Sequence, residues 1–342
     1  MERTFAASPA AASARELVEA LQARFVDRLQ TIPGADRFST VEWLRDEGRH
    51  GGGTRFEAPV GGPFDRGSVN VSQVHYDDLP DRRLASATAL STIIHPVNPR
   101  APSVHVHISW TAMRSGSAYW RVMADLNPSV QIDEDKARFD TLVAGVAGPH
   151  GASGIEQGER YFWIPALERH RGVSHFYLEG HDTGDFEADR AYAQRFGETV
   201  LDGYVEILRQ AVERTPTDDD AAVQRAYHTL YLFQVLTLDR GTTSGLLVHD
   251  QNDVGILGSL PSIVDATLLR SWAETVPELQ VPLVHALADA LGNAADAPVT
   301  EDRKRALASV VRTHYKANPE ALKLQASGAV IPTTVDNHGS TR

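Results

Sequence analysis

Apolar side chains recur at four-residue spacing through Leu17, Leu21, Phe25 and Leu29. This stripe predicts an amphipathic helix from Ala14 to the stop at Ile32-Pro33-Gly34. The period then shortens to two. Residues 55–58, 67–75 (GSVNVSQVH), 85–94, 104–110 and 119–124 alternate in the manner of half-buried strands. Helical periodicity returns at 134–146 and 151–164, a short strand is expected at 173–178, and a long helix at 186–213. Beyond it the pattern predicts a helix at 221–231 running into a strand at 232–238. A hairpin is expected with arms 246–248 and 254–257 around the polar turn 249–253. Helices at 262–274, 282–291 and 301–315 complete the pattern.

Strands grouped early, with helices interrupting and following them, predict an α+β fold. Its expected form is a single domain with a large, mostly antiparallel sheet sandwiched between helical layers. Residues 1–12, rich in Ala and Ser, are expected to be disordered. The domain proper would span 13–318, and the polar residues 319–342 would form a loose tail. Gly51-Gly52-Gly53 reads as a flexible loop over a pocket rather than a phosphate cradle, since neither a lysine nor a strand–loop–helix context follows it.

Composition narrows the function. With 33 Lys and Arg against 45 Asp and Glu, the net charge of −12 disfavours a general nucleic-acid binder. The chain has no cysteine, which removes disulfides, thiolate metal sites and a cysteine nucleophile together. A basic-then-apolar leader and a long apolar run are both missing, so the expected setting is cytoplasmic and away from membranes.

The candidate chemistry lies at residues 91–128. Strand alternation puts His105 and His107 on one face, and Asp125 on the following segment can be brought to them. Two imidazoles with a carboxylate suit proton transfer or a metal. With His95 added, the set His95, His105, His107 and Asp125 could form a facial metal site.

Several segments resemble the oxygen-dependent coproporphyrinogen III oxidase family. They are Gly51–Gly53, GPFDRGSVNVSQV at 62–74, STIIHPVNPRAPSVH at 91–105, ADLNP at 124–128, RYFWIPALERHRG at 160–172, LDRGTTSGL at 238–246 and ILGSLPS at 256–262. They follow the family's order. The resemblance implies a flat antiparallel sheet between helices, a homodimer, and oxidative decarboxylation of propionate side chains on a pyrrole macrocycle. Molecular oxygen would be co-substrate; no organic cofactor is implied, and a divalent metal is an open question.

On the same resemblance His105 matches the proton-donor histidine and Asp125 the acid facing the pyrrole nitrogens. Ser91, Arg171, Asp239 and Arg240 match substrate-contacting or motif positions, and His95 a proposed metal ligand. The chain departs where the family carries Asn-x-Arg after the histidine: here His107 and Ser109 stand instead. The family's His-Arg ahead of Arg171 is Ala166-Leu167, a further arginine is Asn252, and a second proposed metal histidine aligns near Arg138. Serine and leucine cannot replace a guanidinium's bidentate grip on carboxylate. The clamp would then need Arg121, Arg160 or Arg169 from new positions.

The expectation is a paralogue with a shifted substrate that oxidises an electron-rich, carboxylated aromatic or heteroaromatic: the porphyrinogen itself, or a smaller pyrrole-, indole- or phenol-like compound. Its site would comprise His105 and Asp125 as catalytic residues, with Ser91, His107, Ser109, Arg171, Asp239 and Arg240 binding substrate. Two alternatives stand beside it: a metal-dependent oxygenase, and a non-catalytic tetrapyrrole or small-molecule binding protein.

Overall fold

A computed structural model describes residues 2–326 and 334–339. Its centre is a seven-stranded sheet in simple sequence order, every neighbour antiparallel. The strands are β1 (Ser39–Leu44), β2 (Gly51–Glu57), β3 (Phe64–His75), β4 (Leu84–Pro96), β5 (Ser103–Met113), β6 (Ala118–Asn127) and β7 (Ser174–His181). The α+β expectation with a large antiparallel sheet holds.

The two faces of the sheet differ in kind. Val69, Val71, Leu90, Val104, Val106, Ile108, Val122, Leu126 and Phe176 point to one side. There they share a buried cluster with Leu17, Leu21 and Phe25 of α1 (Pro9–Leu29) and with residues of a long helix, Phe186–Ala211. Opposed residues of antiparallel strands share a face, so the strand register also defines the other side. That side reads as transverse rows of polar residues.

Helices α2 (Asp133–Ala147) and α3 (Gly151–Phe162) precede the long helix, α4. Over the polar side lies a second helical layer with its own apolar core. It comprises α5 (Asp220–Thr237), α6 (Arg240–Val248), α7 (Asp253–Ile256), α8 (Ala266–Ser271), α9 (Val281–Ala290) and α10 (Glu301–Ala317). Among the described residues no helix is long and apolar enough to cross a membrane.

Several local expectations need correction. Residues 232–238 are not a strand: α5 continues to Thr237, because Leu232, Phe233, Val235 and Leu236 are buried within the second core. A short apolar run looks alike in a buried helix and a buried strand. The hairpin at 246–257 is instead the end of α6 followed by α7; Asp239 caps α6 by accepting from the Thr242 N–H at 2.6 Å.

Gly51–Gly53 forms the start of β2, not a loop. A Cβ on Gly53 would meet the Val71 carbonyl at 2.4 Å and the Trp43 indole at 2.6 Å, so the ring of β1 packs where a side chain would stand. The beginning of the chain is tied down as well. α1 starts at Pro9, and the Thr4 N–H donates to the Gly48 carbonyl at 2.9 Å. Near the other end, Thr334–Asn337 is helical, and His338 Nδ1 lies 3.0 Å from Tyr76 Oη. The remainder of the expected tail, 327–333 and 340–342, lies outside the described residues.

Candidate active site on the polar sheet face

Register assigns the rows. Across β2 to β7, Glu57, Ser68, Ile93, His105, Asp125 and His175 lie opposite one another in turn. The next row is Arg55, Asn70, Ser91, His107, Met123 and Tyr177. The third runs Gly53, Ser72, Ala89, Ser109 and Arg121. The expected meeting of His105, His107 and Asp125 on one face is therefore what the strands produce.

His105 and Asp125 are direct cross-strand partners, with Nδ1 and Oδ1 at 2.8 Å. A carboxylate only accepts, so Nδ1 carries the proton. Nε2 has no hydrogen bond to the protein among the described residues. The His105 side chain is 14% exposed, whereas Asp125 is fully sealed at 0%.

The second oxygen of Asp125 is also engaged. It accepts from Arg171 Nη2 at 2.5 Å and from Asn127 Nδ2 at 2.5 Å. Burial works against the charge on Asp125. The guanidinium of Arg171 and the His105 imidazole, with hydrogen bonds from His105 and Asn127, outweigh it and hold the carboxyl well below its usual range.

Arg171 is held just as firmly. Its side chain is 2% exposed and donates through Nη1 to Gln234 Oε1 at 2.7 Å. It lies against the rings of Phe162 and Tyr231, at 4.5 and 5.1 Å. Gly172 makes this approach possible. Its φ is +82°, and a Cβ there would meet Asn127 Oδ1 at 2.6 Å and the Leu126 carbonyl at 2.7 Å. The backbone can then run against β6 and aim Arg171 at Asp125.

Two expected roles change as a result. Asp125 cannot face a substrate ring nitrogen, since both oxygens are occupied and the group is sealed. Arg171 is the counter-ion of Asp125, not a substrate clamp. Asp239 and Arg240 are likewise internal: Asp239 caps α6 and accepts from Tyr161 Oη at 3.0 Å, while Arg240 pairs with buried Glu179.

Nor do the expected metal ligands converge. His95 is fully buried, with Nδ1 2.8 Å from Ser103 Oγ and its ring against Tyr231 and His228. His107 Nε2 lies 3.0 Å from Ser109 Oγ, and His105 is committed to Asp125. Among the described residues no group of three His, Cys, Asp or Glu side chains gathers as a metal site.

An open stretch of sheet remains. Asn70, Ser72, Ala89, Ser91 and His107 sit on central strands yet are only partly buried. The alternation of GSVNVSQVH already marked Asn70 and Ser72 as one polar face, a signal that would have located this floor. Burial, then His105 and Arg121, push His107 down to about 3, so its ring is neutral at ordinary pH. Of the arginines considered as replacement clamps, Arg160 and Arg169 are exposed and Arg121 lies on this face. Two other clefts, of about 430 and 410 Å³, lie beside Leu142 and Glu198 and beside Asp46 and Gln251. Neither adjoins His105.

Comparison with known families agrees with this architecture. A family profile described as coproporphyrinogen III oxidase matches residues 13–281, from α1 to the start of α9 and including every strand of the main sheet. The chain belongs to the coproporphyrinogen III oxidase family.

Proposed function

We propose that this chain is an oxygen-dependent oxidase without an organic cofactor, acting on an electron-rich, carboxylated heteroaromatic laid over the open floor of β3–β5. The observation that carries the reading is the His105–Asp125 pair. Asp125 fixes the tautomer and orientation of the imidazole, and Nε2 is left for a substrate proton. His105 is then the proton-transfer group, and Asp125, with Arg171 behind it, is its positioning partner.

Membership in an oxidoreductase family supports the reaction type. A propionate-like side chain would lose CO2 and two electrons, leaving a vinyl group. Dioxygen would take the electrons and two protons, leaving as hydrogen peroxide. An electron-rich ring can give electrons to oxygen directly, so the protein has only to orient it, manage the proton and limit water.

A shift of substrate within the family is part of the proposal. His107 and Ser109 stand at the Asn and Arg positions, and Ala166 and Leu167 pack against the second apolar core where the resemblance expects a cationic pair. A macrocycle with four carboxylates would find few guanidinium groups here. Assembly as a homodimer belongs to the same proposal.

The test is oxygen uptake and product analysis with metal-stripped protein. Coproporphyrinogen III is offered first, then one- and two-ring carboxylated pyrroles, indoles and phenols. Uptake with peroxide and CO2 release is expected for a smaller acid, falling on the order of 10²-fold or more in His105→Ala at unchanged melting temperature. Uptake that survives this substitution would overturn the assignment of His105. Binding without uptake across the panel would replace the enzyme reading with that of a binding protein.

A further inference from the structure

Among the described residues Arg121 is a cation with no acid in salt-bridge contact. It stands on β6 directly opposite Ser109, half-buried on the open face. Its Nε is closed off from solvent with no acceptor, and its guanidinium lies 5.4 Å from the Tyr119 ring. The one hydrogen-bond contact of that guanidinium among the described residues is a long 3.5 Å approach of Nη2 to Tyr119 Oη.

Of the acids nearby, Asp239 serves Tyr161 and the start of α6, and Glu179 on β7 pairs with Arg240 through Oε1 while its Oε2 is buried without a hydrogen bond. Arg121 stands on β6, between β5 and β7, one row from His107 and Tyr177. Along its own row the neighbours are Ser109, Ala89 and Ser72, all small, so space remains for an anion beside it. A guanidinium half removed from water and lacking an acid favours a planar carboxylate.

We propose that Arg121 is the specificity-determining residue of this site and binds the carboxylate of a one- or two-ring aromatic acid, with Ser109 and His107 beside it. The inference rests on the reading of the open face as the substrate site. It adds the size and charge of the substrate. Arg121 and His105 stand two rows apart, roughly 14 Å along the strands at ~3.4 Å per residue. The reach of both side chains shortens that distance to the span of one or two fused rings with a short arm.

The experiment is calorimetric titration at low salt with indole-2-carboxylate and with indole as its uncharged counterpart. The unsubstituted protein is expected to bind the acid at least tenfold more tightly than indole. Arg121→Met should erase that preference, Arg121→Lys should keep part of it, and Arg160→Met, on an exposed position of α3, should leave it unchanged. Because Arg121 makes no ion pair among the described residues, Arg121→Met should melt no lower than the unsubstituted chain. A preference that persists in Arg121→Met, or failure of the acid to bind at millimolar concentration, would overturn the proposal. A lower melting temperature with the preference intact would show a structural role instead. Binding does not require turnover, so a carboxylate preference without oxygen uptake would refute the oxidase reading while leaving the subsite standing.

Discussion

The pair Asp125–Arg171 offers the sharpest test of how this site is built. Both side chains are sealed, at 0% and 2% exposure, and meet at 2.5 Å. Removing one partner leaves the other charged group buried without compensation, a loss of about 3–5 kcal/mol. Asp125→Asn and Arg171→Met should each lose that much in urea unfolding followed by tryptophan fluorescence at a common slope. Replacing both removes the charges together. The double variant should therefore recover at least about 2 kcal/mol relative to the sum of the single losses. The acid limb gives a second reading of the same pair. Asp125 is held below its usual range in the fold, so its contribution is fully present above the unfolded value near 3.8 and is lost as pH falls through the lower folded value. The unsubstituted protein should thus lose more stability than Asp125→Asn on acidification below about pH 4. Losses that simply add in the double variant, to within about 0.5 kcal/mol, would refute the reasoning.

Two further outcomes are expected. His107 has a folded value near 3, below the ordinary 6.5, so the unfolded chain binds the extra proton between them and stability falls as pH drops from 6.5 toward 3. His107→Gln should be less sensitive than the unsubstituted protein when unfolding is compared at pH 7.5 and pH 5, and equal sensitivity would count against a neutral ring. Gly53→Ala forces a Cβ against the Val71 carbonyl and the Trp43 indole, so thermal melting should report a loss of roughly 1–3 kcal/mol.

The helix α1 and the strands β3 to β5 were legible because each shows a period against one apolar face, whereas the glycine start of β2 reads as a loop. β1 was not legible, since none of its residues is buried and it is ordered as an edge strand whose Trp43 covers the glycines of β2. The second half of α5 was misread because burial on all sides erases periodicity. Within the site, His105, His107 and Asp125 could be placed on one face from strand alternation. What each does could not. The role of Asp125 depends on Arg171, 46 residues away, and that of Arg171 on Gln234, another 63 residues on. No local pattern carries such pairings. Asp239 and Arg240 illustrate the same point: a helix cap and a buried ion pair look identical, in sequence, to a clamp for a ligand.

The alternation of β3, β4 and β5 has a consequence for how this protein can vary. Consecutive residues such as Val106 and His107 answer to different demands: one must keep its volume against α1 and α4, the other only its chemistry. Changes confined to positions 70, 72, 89, 91, 107, 109 and 121 would alter what the floor accepts while leaving the larger core as it is. A library restricted to those positions would sample new ligands at nearly constant stability, which makes the sheet a scaffold whose recognition and folding can be inherited separately.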